Sequence, residues 1–208
     1  KMNFFEHSAR VPLVMAGPGV KQGVAKNACS LIDLLPTFIE IGGGSSDMLS
    51  EPIDGRSLMP LARGENDPVD EAIGEYCAEM TSYPVIMVRR GPLKFIHCNP
   101  DPPQLYDVVA DPLETKNLAM DPSYAGQLDT FAKEVNDRWD GEALRRQIIT
   151  SQKSRRARQS AMEAGTREHW DYNPPSDASQ QYVRNHIDWT VAANYYRYPP
   201  LKGLSDDS

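Results

Sequence analysis

The first twenty residues, Lys1 to Val20, constrain the fold more than any other stretch. An apolar run, Val11 to Ala16, is closed by Gly17-Pro18-Gly19, a pattern that suits a short strand buried on both faces and ended by a loop. Such strands belong to parallel sheets covered by helices, and a parallel sheet needs neighbours that nothing upstream of Lys1 supplies. The expectation is therefore the end of a large α/β domain, with the chain as the C-terminal portion of a longer protein.

The next segments read as packing elements. Asp33-Leu34-Leu35-Pro36-Thr37-Phe38-Ile39 predicts a helix with Asp33 as N-cap and Pro36 in the first turn. Leu34, Leu35, Phe38 and Ile39 share one face, and Gly42 to Gly44 end the helix. Asp54-Gly55-Arg56-Ser57-Leu58-Met59-Pro60-Leu61 reads as a tight turn that opens a short helix. From Glu71 the pattern changes to short strands at 72–79, 85–90, 93–97 and 104–108, whose brief connections predict an antiparallel meander. Asp121-Pro122 then starts a helix whose Leu128, Phe131, Ala132, Val135 and Trp139 form one stripe fit to lie on that sheet. A second, polar helical stretch runs to about Gly165, anchored by Leu144, Ile148 and Ile149. The division expected is 1–70 as the end of the large domain, 71–140 as a small sheet and helix, and 141–208 as a helical extension and tail.

Composition narrows the classes. With 40% hydrophobic and 25% charged residues the chain is an ordinary globular protein. A formal net charge of -7 argues against a nucleic-acid surface, and the basic cluster Lys153, Arg155, Arg156, Arg158 reads as a solvated helix face. No apolar run approaches the roughly 18 residues of a membrane span. Three separated cysteines, Cys29, Cys77 and Cys98, give neither a disulfide framework nor a zinc motif, and fit a reducing cytoplasm.

Several of these stretches, in this order, resemble type I sulfatases: Phe5-Glu6-His7-Ser8-Ala9-Arg10-Val11-Pro12-Leu13, the Asp33-x-x-Pro36-Thr37 and Asp54-Gly-x-Ser-Leu-x-Pro-Leu61 elements, and Arg89-Arg90-Gly91-Pro92-Leu93-Lys94-Phe95-Ile96 followed by Gln104-Leu105-Tyr106-Asp107 and Asp111-Pro112-Leu113-Glu114. The fold implied is the C-terminal part of an alkaline-phosphatase-like α/β sulfatase, carrying a small antiparallel sheet. Lys1 stands where the family has a sulfate-binding lysine, and the resemblance implies that role for it. An ammonium is a compact charge suited to a sulfate oxygen.

The resemblance also implies a formylglycine nucleophile and a divalent metal, calcium or else magnesium or manganese. No Cys/Ser-x-Pro-x-Arg motif occurs in this sequence, and its four histidines lack metal-ligand spacing. Both groups are therefore expected from the upstream part of the same protein, and this chain alone should not hydrolyse anything.

The tail, from about Trp170, is dense in aromatics and prolines and poor in apolar stripes, as in an arm that packs on something already folded. Asp177-Ala-Ser-Gln-Gln-Tyr182-Val-Arg-Asn-His186 resembles the C-terminal extension of choline sulfatases, which implies choline O-sulfate as substrate and homo-oligomerisation through the tail. A quaternary ammonium has no N–H to donate and is held by carboxylates and aromatic faces. Asp188 and Glu79 are the candidate carboxylates, with Tyr182, Trp189 and Tyr76 as aromatic candidates. Another sulfatase, a phosphonate monoester hydrolase, or a non-catalytic oligomer-assembly module remain the alternatives.

Overall fold

The computed structural model describes residues 3–78 and 81–165, and the chain divides into two compact units with the boundary after Ile148. Within the first lies a four-stranded antiparallel sheet in sequential order: β1 (Glu71–Tyr76), β2 (Val85–Arg90), β3 (Leu93–Cys98) and β4 (Gln104–Asp107). Arg90 pairs with Leu93, which leaves Gly91 and Pro92 as a two-residue hairpin loop. Gly91 has φ +56°, a conformation that a residue with a Cβ adopts only at a cost.

Each face of this sheet is covered by a different part of the chain. Asp121 accepts the Ser123 N–H at 3.0 Å, and after one 3-10 turn α4 (Ala125–Arg138) follows. Its Phe131 and Val135 are buried against Ile86, Val88, Phe95 and Leu105, with Leu128, Ala132 and Trp139 beside them, as the helical spacing predicts. The rings of Phe95 and Phe131 stack at 5.7 Å. Side chains alternate along a strand, so Met87, Ile96 and Tyr106 face the other way, where Phe4 and Phe5 pack on them.

Before the sheet, a 3-10 turn (Leu31–Asp33) runs into α2 (Leu34–Ile41), and α3 spans Met59–Ala62. Two sequence elements lock onto each other here. Asp33 Oδ1 accepts the Arg56 N–H at 3.0 Å and Thr37 Oγ1 accepts the Leu58 N–H at 2.8 Å. A Cβ on Gly55 would fall 2.2 Å from the Ile32 carbonyl oxygen, so this close backbone approach requires glycine. Arg56 completes the lock through Asp67 at 2.9 Å and the carbonyls of Ala28 and Val69 at 3.1 and 3.0 Å.

Three expectations are corrected. Residues 11–16 form no strand, and Val14 is 88% exposed, because among the described residues no free strand runs beside them to share backbone hydrogen bonds. The predicted apolar face of α2 is also only partly covered: Leu35 and Phe38 are exposed and Leu34 and Ile39 half-buried, while Pro36 and Thr37 are buried. Asp33 does not cap α2 through its side chain; its Oδ2 instead accepts the Ser30 N–H at 2.8 Å.

The Arg56 lock has a pH signature. Burial by itself would raise the Asp67 carboxyl, but the Val69 N–H and the Arg56 guanidinium outweigh it and hold the pKa below its usual value. This stabilisation is complete above the unfolded carboxyl pKa of about 3.9 and is lost as pH falls through the lower folded value. Asp67→Asn should therefore lower the urea midpoint near neutrality and flatten its decline below about pH 4. An acid limb identical to that of the unsubstituted chain would contradict this account.

α5 (Gly141–Glu163) buries no side chain; Leu144, Ile148 and Ile149 are half-buried. Among the described residues no helix is long and apolar enough to cross a membrane.

Candidate functional site

The segment that follows Lys1 in sequence is fastened to the small sheet at three points. The Phe4 ring occupies the space above Gly74 in β1, where a Cβ would sit 2.5 Å from ring carbon Cε1. The Phe5 ring lies 5.6 Å from that of Tyr106. Between these aromatic contacts, Lys94 reaches up from β3 with its side chain only 1% exposed. Its Nζ donates to the Phe4 carbonyl at 2.8 Å and lies 2.6 Å from Glu6 Oε1 and 2.7 Å from Glu114 Oε1.

Glu114 closes the cluster. Its Oε2 accepts the Glu6 N–H at the start of α1 (Glu6–Ala9). Its Oε1 is buried and receives no aligned hydrogen bond, so the 2.7 Å approach of Lys94 Nζ meets it chiefly as an ion pair. Glu114 itself has φ +53°, an uncommon conformation for a residue with a Cβ and one held only where the surroundings fix it. In ionised form the cluster carries two carboxylates to one ammonium. Arg10 also lies 4.0 Å from Glu6 Oε2, so removing the ammonium would leave the buried Glu114 carboxylate without a cation, a change that costs about 3–5 kcal/mol in comparable sites. Burial raises the pKa of the neighbouring Tyr106 hydroxyl, and the Glu114 and Asp111 carboxylates raise it further.

Lys1, Glu79 and Asp188 lie outside the described residues, as do Tyr182 and Trp189. Tyr76 ends β1 opposite Val85. Sequence reasoning missed Lys94, Glu6 and Glu114 as a group. The available signal was a lysine inside Leu93-Lys94-Phe95-Ile96, a strand otherwise apolar on both faces.

A groove of about 420 Å³ lined by Tyr83, His97, Trp139, Asp140 and Glu142 combines aromatics with carboxylates, as a quaternary ammonium site would. A guanidinium already lies over one face of each of two of these rings: Arg138 is 4.6 Å from the Trp139 ring centroid and Arg145 4.8 Å from that of Tyr83. Burial also pushes the His97 imidazole below its ordinary pKa.

Among the described residues no group of three or more His, Cys, Asp or Glu side chains could hold a metal ion. The described side chains therefore do not by themselves fit the divalent metal that the resemblance implies. Burial raises the Cys77 and Cys98 thiols, which disfavours the nucleophilic thiolate.

Residues 1–140 match the family model for the N-sulphoglucosamine sulphohydrolase C-terminal region. The chain belongs to this sulfatase family. Residues 146–198 of this sulfatase C-terminal region match a second model, the choline sulfatase enzyme C terminus. The chain is 37% identical over 202 residues to the choline-sulfatase of Rhizobium meliloti, covering 96% of this sulfatase chain and 39% of that protein. Human arylsulfatase K is 33% identical over 132 residues, covering 58% of this chain and 24% of that protein. A crystal structure of a Bacteroides thetaiotaomicron protein assigned to the sulfatases superposes with a TM-score of 0.58 at 32% identity, covering 66% of this chain and 31% of that one. The sulfatase chain thus spans about two fifths or less of the length of these relatives.

Proposed function

We propose that this chain is the C-terminal part of a cytoplasmic enzyme that hydrolyses choline O-sulfate to choline and sulfate. The observation that carries the reading is the reach of the likeness. Similarity to choline-sulfatase covers 96% of the chain, whereas similarity to arylsulfatase K covers 58%, and residues 146–198 fit the choline sulfatase C-terminal model. A general sulfatase C-terminal region accounts for residues 1–140 but not for this extension.

In this reading Lys1 binds the sulfate group. Glu79 and Asp188 face the trimethylammonium end, where a cation without N–H groups is stabilised by carboxylate charge and aromatic faces. The nucleophile, a formylglycine, and the divalent metal belong to the upstream part of the same polypeptide. Leu31, Ile32, Leu35 and Phe38, together with Val11, Leu13 and Val14, form exposed apolar surface for that part to cover. The tail assembles the homo-oligomer.

The test compares two substrates in the complete polypeptide. Glu79→Gln and Asp188→Asn should lower kcat/KM for choline sulfate by about 30-fold or more, the scale of losing a desolvated charge partner worth about 2 kcal/mol. They should hardly affect a neutral aryl sulfate, which carries no cation to pair. An unchanged ratio of the two kcat/KM values in both variants would remove these carboxylates from the site.

A further inference from the structure

We infer that His97 is the trigger of an acid-sensitive hinge that fastens the start of α5 to the small sheet. Two ties make the fastening. Trp139 Nε1 donates to Glu75 Oε1 of β1 at 2.6 Å. Arg145 lies over the Tyr83 ring, and its Nε donates to the Ser82 carbonyl at 3.3 Å. Both ties border the groove of about 420 Å³, since Tyr83 and Trp139 line it together with His97 and the buried Ile86 and Val135. The match to the choline sulfatase C-terminal model begins at residue 146, directly after Arg145, so the hinge stands at the root of that extension.

His97 has two settings to choose between, and its charge decides. The ring is half-buried and stacks on Phe95 with centroids 6.1 Å apart and planes 22° from parallel. It has no hydrogen-bond partner among the described residues. A neutral imidazole suits this aromatic and aliphatic lining, whereas an imidazolium loses water there and meets no acceptor. The other setting is the rim, where Asp140 and Glu142 stand. The Glu142 side chain is unpaired among the described residues, and Asp140 uses one oxygen to cap α5, accepting the Ala143 N–H at 2.8 Å. The remaining charged groups at the groove are already engaged: Arg145 with Tyr83 and Ser82, Arg138 with Glu134 and the Trp139 ring, and Glu75 with Trp139. The Tyr83 hydroxyl is the other titratable group in the lining.

Protonation turns the ring outward to these carboxylates, and Asp140 gives up its cap as it receives the imidazolium. The corner 139–145 then loosens. Burial holds the His97 pKa below its ordinary value of about 6.5. The closed corner is therefore favoured fully above that ordinary value, and the advantage is lost as pH falls through the lower folded one.

Backbone hydrogen exchange in the complete polypeptide, corrected for the intrinsic effect of pH on exchange, tests the hinge. The N–H groups that report on it are those of Trp139, Ala143 and Leu144, bonded to Val135, Asp140 Oδ1 and the Asp140 carbonyl. From about pH 7.5 to about pH 5.5, the range in which a histidine changes charge, their protection should fall several-fold. The slope should not exceed about 10-fold per pH unit, the limit for a single proton. Residues 93–96 of β3 should keep their protection. His97→Phe keeps a ring on Phe95 and cannot charge, so the corner's protection should be flat with pH; if that variant fails to fold, His97→Gln replaces it. Asp140→Asn combined with Glu142→Gln removes the receiving carboxylates and should move the transition to lower pH. Constant protection of the corner across this range would overturn the hinge. So would the same loss in the His97 variant, an equal loss in β3, which marks global acid unfolding, or an unmoved transition in the double variant.

Discussion

Lys1→Ala in the complete polypeptide is expected to lower kcat/KM for sulfate esters by at least ~10²-fold, the scale of losing one donor aimed at charge that grows in the transition state. As sulfur–oxygen bonds rearrange, negative charge redistributes over the sulfate oxygens, and an ammonium held beside one of them stabilises the transition state more than the ground state. The loss should therefore appear mainly in kcat. Arginine should restore only part of it, because a planar guanidinium distributes its charge and its donors differently from a compact ammonium. The fold should be indifferent, since the packing of Phe4 and Phe5 on the sheet and the Lys94 hydrogen bond to the Phe4 carbonyl involve other side chains and remain in the variant. Steady-state kinetics beside a thermal midpoint decides the matter, and near-normal turnover in a folded variant would sink the role assigned to Lys1.

What the sequence revealed about this fold followed the range of the interactions involved. The β2–β3 hairpin is legible because Gly91 and Pro92 carry its turn chemistry within two residues. The stripe on α4 is legible because Leu128, Phe131, Ala132, Val135 and Trp139 meet a sheet that lies in the same chain. Where burial depends on something beyond the neighbouring residues, reading failed. The run from Val11 to Ala16 has strand composition, but a strand is defined by its partners. The Leu35 and Phe38 side of α2 looks like a core face, while the structure buries Pro36 and Thr37 instead.

The cluster of Lys94, Glu6 and Glu114 was illegible for a related reason. Glu6 and Glu114 are 108 residues apart, and no local pattern links them. A lysine in a strand covered on both faces indicates a buried charge needing a partner, but it does not name the partner. The substrate-contact residues differ again. Lys1, Glu79 and Asp188 were reached through family resemblance and electrostatic reasoning, and all three fall outside the described residues, so they stand as proposals for the experiments above.

Deleting the chain from Trp170 onward is expected to reduce both the oligomer's mass in solution and its turnover of choline sulfate. The argument starts from composition: the last forty or so residues have many aromatics and prolines and few apolar stripes, too little to build a core of their own. Ordering some thirty residues costs roughly 1–2 kcal/mol each in backbone entropy, so a surface must be buried to offset it. The preceding α5 offers little, since none of its side chains is fully buried. A neighbouring subunit would supply such a surface with closed symmetry, a two-fold dimer being the minimal assembly expected.

The same deletion removes Asp188. Choline sulfate turnover should then fall by at least ~30-fold, the scale of losing a desolvated charge partner worth about 2 kcal/mol, with a smaller loss for a neutral aryl sulfate. Sedimentation velocity and paired kinetics on the truncated enzyme separate the two effects. A truncated enzyme of native mass would show that assembly does not depend on this arm. One that keeps its choline sulfate turnover would release Asp188 from the site.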